Sequence, residues 1–258
     1  MSPTRSDADR ALHVLRCTRG RCSKATRTVE WFTQNTPAPT VAFMGQMSMN
    51  KVIHGAFRRD LDRFIAALAA FQPGDRARAT ALGTAWANFD DQLTYHHEGE
   101  HEIAWPALAA VGVSPELLAA MDAEHETMAA ALSETRTAMA ALLRDPGVGP
   151  ASSAQAAFQK LRAVTVQHLD HEESELEPVY QAKRDTPEIK AMGRAFGKSG
   201  LARGGRFFTW VLDGASGEEE AAVRAEVPGP VIAVIGGIFG RGYRRDIAPV
   251  WSGNDAQR

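Results

Sequence analysis

Histidine and glutamate recur in this chain at spacings suited to holding metal ions. The stretch YHHEGEHEIAWP (95–106) carries three histidines and three glutamates. His96 and Glu100 stand four apart, and the pair recurs as His168 and Glu172 in HLDHEESELEPVY (168–180). Pro106 likewise recurs as Pro178, each at an offset of 72 residues. His54 and His125 precede the two pairs, 71 residues apart, with Phe57 and Met128 three residues beyond them. The chain therefore repeats one unit: a single His, then His-x-x-x-Glu about 42 residues later.

An ionised carboxylate in an apolar core costs several kcal/mol unless it is compensated. Four imidazoles and two carboxylates at matched heights would be under-satisfied without a cation. Cations resolve this, because neutral imidazoles offer lone pairs and carboxylates supply charge. Residues four apart rise about 6 Å on one helix face, so a His and a Glu can both reach a common axis. One carboxylate from each half can bridge two ions about 3.5–4 Å apart, with the histidines capping them. Mixed nitrogen and oxygen ligation suits iron first, and manganese or zinc less well. His97 and His101 lie about 100° further round the helix, which predicts a flank or solvent position for both.

The elements that must position these residues are legible as four apolar stripes with alternating four- and three-residue steps. They run from Asn50 to Phe71, from Leu82 to Ile103, from Leu118 to Leu142 and from Ala154 to Val179. Pro73-Gly74, Gly112 and DPGVGP (145–150) punctuate them, and Asp75 and Ser114-Pro115 read as helix starts. Short connections predict an all-α, up-down-up-down four-helix bundle with an internal two-helix repeat. Glu175, one turn beyond Glu172 on its stripe, is expected to be desolvated and to serve as a proton donor. Asp122 and Asp170 are expected to accept from the far ring nitrogens of metal-bound histidines.

Three segments follow: a basic, disordered extension over 1–44, the bundle over 45–182, and a helical extension over 183–258 packed on the bundle. Between Met1 and Glu30 seven Lys/Arg face three acids, and no apolar run follows them as in a secretory signal. In the last segment Tyr243 and Trp251 are expected in aromatic core rather than at the site. GRAFGKS (193–199) misses a phosphate loop, because its first Gly is one residue too close and no strand precedes it. A net charge of −2 and a pI near 6.5 argue against nucleic acid and anionic membranes as partners. The longest apolar run, VIAVIGGIF (231–239), is far short of a membrane span. Cys17 and Cys22 make no disulfide framework, which fits a cytoplasmic, reducing compartment.

The order His, His-x-x-x-Glu, His, His-x-x-x-Glu resembles the hemerythrin-like, or HHE cation-binding, domain family over roughly residues 45–182. The resemblance implies a non-haem di-iron centre that binds or reduces dioxygen or related small molecules such as peroxide and nitric oxide. It implies His54, His96, His125 and His168 as terminal ligands and Glu100 and Glu172 as bridges. A redox partner protein is expected if the centre turns over. The alternative is a non-catalytic iron buffer, or an oxygen or redox sensor acting through a partner protein. One departure stands out. Hemerythrins carry a second histidine one turn from the first on the third helix, whereas the neighbours of His125 at that spacing are Met121 and Ala129. This speaks against an asymmetric three-plus-two centre.

Overall fold

Ser48 opens the first helix: its Oγ accepts from the Lys51 amide at 3.2 Å, and α1 runs Met49–Ala69. The computed structural model describes residues 47–198 and 200–252, so the expectations for residues 1–44, Cys17 and Cys22 lie outside the described residues. Asp75 caps α2 (Arg76–Gly99) through the Arg78 amide. A π-helical turn, Glu100–Ala104, continues directly into α3 (Trp105–Ala110). Gly112 then takes φ +103°, a left-handed turn that a side chain would strain. Ser114 caps α4 (Pro115–Arg144), which has proline in its first turn, and α5 follows as Val148–Glu175.

These helices form the expected ring, with α1 against α2 and α5, and α4 against α2 and α5. The α1–α2 and α4–α5 connections meet at one end, where the Gly74 amide donates to the Pro146 carbonyl at 2.7 Å. Every second helix must therefore reverse. The stripe residues fill the interior as an aromatic stack: Phe64 lies face to face with Phe158 at 4.4 Å, and Trp86 meets Phe158 edge-on. Truncating one such ring to Ala costs about 3–5 kcal/mol.

Beyond α5 the chain forms α6 (Glu177–Lys183), α7 (Pro187–Phe196), α8 (Leu201–Val211), α9 (Gly217–Glu226), α10 (Gly229–Phe239), α11 (Arg241–Asp246) and α12 (Ala248–Trp251). The described residues contain no strand. Helix α7 lies on α3 and the π turn, α8 and α9 lie on α1, and α11 and α12 lie on α2. A buried polar knot fastens this extension. Trp210 Nε1 donates to Asp60 at 2.8 Å, Tyr243 donates to Asp213 at 2.8 Å, and Arg63 reaches both carboxylates. Trp251 meets Phe64 edge-on at 5.0 Å, so both aromatic residues are core, as expected. Among the described residues no single helix is long and apolar enough to cross a membrane.

Candidate metal centre

The four bundle helices bring all six residues singled out by the repeat into one layer. His54 comes from α1, His96 from α2, Glu100 from the π turn, His125 from α4, and His168 and Glu172 from α5. His54 Nε2 lies 3.2 Å from Glu172, His96 Nε2 lies 3.0 Å from Glu100, and His125 Nε2 lies 3.3 Å from the other Glu100 oxygen. The His125 and His168 Nε2 atoms are 3.0 Å apart. The layer is buried: His54 and His168 are fully so, and Glu100 and Glu172 nearly so.

His97 corrects the expectation that it faces a flank or solvent. Its Nε2 is buried, and its ring stacks on His125 with centroids 4.3 Å apart. A helix in a four-helix bundle faces two neighbours, so its interior arc is at least as wide as the angle between successive residues. His96 occupies one side of that arc, toward His54, and His97 the other, toward α4. The fifth imidazole therefore does exist, supplied by α2 instead of by a second histidine beside His125. His101 is exposed, as expected.

Two sets of ligand atoms result, each with all members within 4.8 Å of one another. One is His54, His96, Glu100 and Glu172; the other is His97, Glu100, His125 and His168. Glu100 belongs to both. The arrangement is asymmetric, with three imidazoles on one side and two on the other, contrary to the symmetric expectation.

The fit to a cation rests on polar atoms left without partners. His54 Nε2, His96 Nε2, His97 Nε2, both oxygens of Glu100 and Glu172 Oε2 are buried with no hydrogen-bond partner among the described residues. They approach one another closely but without hydrogen-bond alignment. Each such orphan costs about 1–3 kcal/mol, more for a charged group, so their convergence is unstable unless an ion satisfies them together. The protonation pattern agrees. Burial pushes the His54 imidazole down, but the charge of Glu172 and the hydrogen bond to Glu173 outweigh it and raise its pKa to about 9. In the metal-free chain a proton there supplies the positive charge that the carboxylates demand. Burial holds His97 well below the usual imidazole range, so it is a neutral donor. Burial also pushes the Glu100 carboxyl up, yet the surrounding imidazoles overcome this and hold it well below the usual carboxylate range.

Two carboxylates that the sequence reading missed orient the rings. Glu173 accepts from His54 Nδ1 at 2.9 Å and is itself held by Arg58 at 2.7 Å. Glu124 accepts from His168 Nδ1 at 2.9 Å and from His171 Nδ1 at 2.8 Å. Bonding the far nitrogen fixes which nitrogen faces the centre. Of the two residues expected in this role, Asp170 pairs with Arg58 instead of a histidine. Asp122 binds Trp105 and His101 and lies 4.0 Å from His125 Nδ1.

Glu175 also needs correction. It is exposed, because α5 ends there and the chain turns at Leu176, taking Glu175 off the buried stripe. The position inside is filled by Glu177, which accepts from Ser48 Oγ at 2.9 Å and from Gln181 at 2.7 Å.

The fold and this layer define a four-helix-bundle metal protein, with the ligand atoms aimed inward from every bundle helix. The family model of the hemerythrin HHE cation binding domain matches residues 50–180, and the chain belongs to that family. No curated protein and no solved structure matches it.

Proposed function

We propose that the chain is a di-iron protein reacting with dioxygen, peroxide or nitric oxide in a reducing, cytoplasmic setting. His54, His96 and Glu172 would hold one ion and His97, His125 and His168 the other, with Glu100 available to both sets. The sharing of Glu100 between two ligand sets carries this reading, because one carboxylate serving two sets of imidazoles is the geometry of a two-metal site. The mixed imidazole and carboxylate donors favour iron over zinc or manganese. When bound, such a pair supplies redox equivalents and Lewis acidity to a small molecule.

The chain's own residues do the rest. Glu124 and Glu173 keep the imidazoles in the binding tautomer, and Asn50 Nδ2 donates to Glu172 Oε1 at 2.9 Å, turning the other oxygen inward. The two sides also differ in access. A cavity reaches His96, Glu100 and Glu172, whereas His97, His125 and His168 do not line it. Small molecules thus meet the two-imidazole side, and an open approach to one ligand set favours reactivity over a closed iron buffer. The test is elemental analysis after anaerobic reconstitution with ferrous iron. About two irons per chain are expected; one or none overturns the proposal.

A further inference from the structure

The cavity at the two-imidazole side has a volume of about 660 Å³. That is far more than a diatomic or peroxide needs, and it lies within the range of about 300–1,000 Å³ typical of sites for organic ligands. The C-terminal extension builds its outer wall. Met192 and Phe196 of α7, Phe207 and Phe208 of α8, and Val231 and Ile235 of α10 close over Ile53 and Phe57 of α1. A bundle ending at residue 182 would leave that face open.

One polar group on this wall is unaccounted for. Gln92 is only 5% exposed and lines the cavity one helical turn before His96. None of the hydrogen bonds among the described residues uses its amide, which leaves it open to a ligand in the cavity. We infer that the cavity binds an uncharged, largely apolar organic molecule whose hydroxyl or carbonyl group is held by Gln92 beside the metal face. The absence of charge follows from the wall. Away from the metal face, Glu177 and Glu226 line it and repel an anion. Of the two lining cations, Arg203 is committed to Asp91 at 3.1 Å and to the Tyr95 ring, and Lys198 is exposed to solvent. That the bound molecule meets iron rests on the function proposed above; its binding in the cavity does not.

The glycines of α8 supply a clean test. A side chain on Gly205 collides with the Ile235 backbone, which is why α8 and α10 pack so closely there. A Cβ on the neighbouring Gly204, which lines the cavity, meets only Ile235 Cδ1 at 3.8 Å. Gly204→Phe therefore places a ring in the cavity without disturbing the metal ligands, and it replaces a helix-interior glycine, which favours folding.

The probes are naphthol, naphthalene and naphthoate, titrated by calorimetry into the full chain, both iron-loaded and metal-free, with iron measured in the same samples. Naphthol is expected to bind once per chain and, in the metal-free chain, naphthoate at least tenfold more weakly. Gly204→Phe should weaken naphthol at least tenfold with iron content and melting temperature retained. Gln92→Leu should weaken naphthol by about three- to tenfold, the worth of one hydrogen bond, and leave naphthalene unchanged. No saturable binding of naphthol, or wild-type binding by Gly204→Phe, overturns the inference. Naphthol binding to a chain that takes up no iron would sustain the cavity and defeat the di-iron proposal; iron uptake without naphthol binding would do the reverse.

Discussion

Replacing His97 by Phe should move the metal-free and the iron-loaded protein in opposite directions. In the metal-free chain His97 buries a ring nitrogen that has no partner, at a cost of about 1–3 kcal/mol. Phe keeps a flat ring against His125, where the imidazole stacks at 4.3 Å, and removes the orphan. The apo protein should therefore gain about 1–3 kcal/mol. For a domain of this size each kcal/mol is worth roughly 2–4 °C in melting temperature, so a rise of several degrees is expected. In the iron-loaded protein the three-imidazole side becomes a two-imidazole side. A hundredfold loss of affinity there removes about 2.7 kcal/mol of binding-linked stability at fixed free iron. Differential scanning calorimetry with and without chelator, alongside elemental analysis, reads both effects. His101→Phe is the control, because His101 is exposed and outside both ligand sets. An apo melting temperature that falls in His97→Phe, with the iron content unchanged, would refute the reasoning and return His97 to ordinary core packing.

Two further outcomes are expected. Glu124→Gln turns an amide nitrogen toward one of the two imidazole N–H groups now served by a carboxylate, and iron affinity measured by chelator competition should fall about 10–100-fold. A pH titration of stability should separate apo from iron-loaded protein. The pKa of His54 is about 9 in the folded metal-free chain against the ordinary 6.5, so its stabilisation is full below 6.5 and is lost as pH rises through about 9. The shift corresponds to something on the order of 3 kcal/mol. Urea titrations of the chelated protein between these limits should show that decline, and iron loading should flatten it, because the ion replaces the proton at Nε2. A flat profile in the chelated protein would show that His54 carries no such proton.

The four helices were legible because their stripes coincide with buried residues from Phe57 to Leu68, from Leu82 to Leu93, and through α4 and α5. The repeat independently placed the six side chains that the structure gathers in one layer. What escaped the sequence was everything set by breaks in helical phase or by reach between helices. His97 was lost because a single stripe understates the interior arc of a bundle helix. Glu175 was misplaced because nothing in its own spacing announces the turn at Leu176. Glu124 and Glu173 lie off their stripes and act by reaching sideways to rings on other helices, a relation that periodicity along one helix does not encode.

The π turn at Glu100–Ala104 divides one continuous rod into two angular frames. Upstream, the orientation of Gln92, His96, His97 and Glu100 is dictated by the metal layer and the cavity. Downstream, Trp105 and Leu108 answer to a separate apolar cluster with Met121 and Ile189, and Trp105 Nε1 donates to Asp122 at 2.9 Å. The extra residue lets both demands be met without bending the chain out of the bundle. It also means that length, as much as identity, is information here. Removing one residue between 101 and 104 would rotate the downstream face by about 100° and put Trp105 and Leu108 out of phase with the centre, although no ligand had been changed.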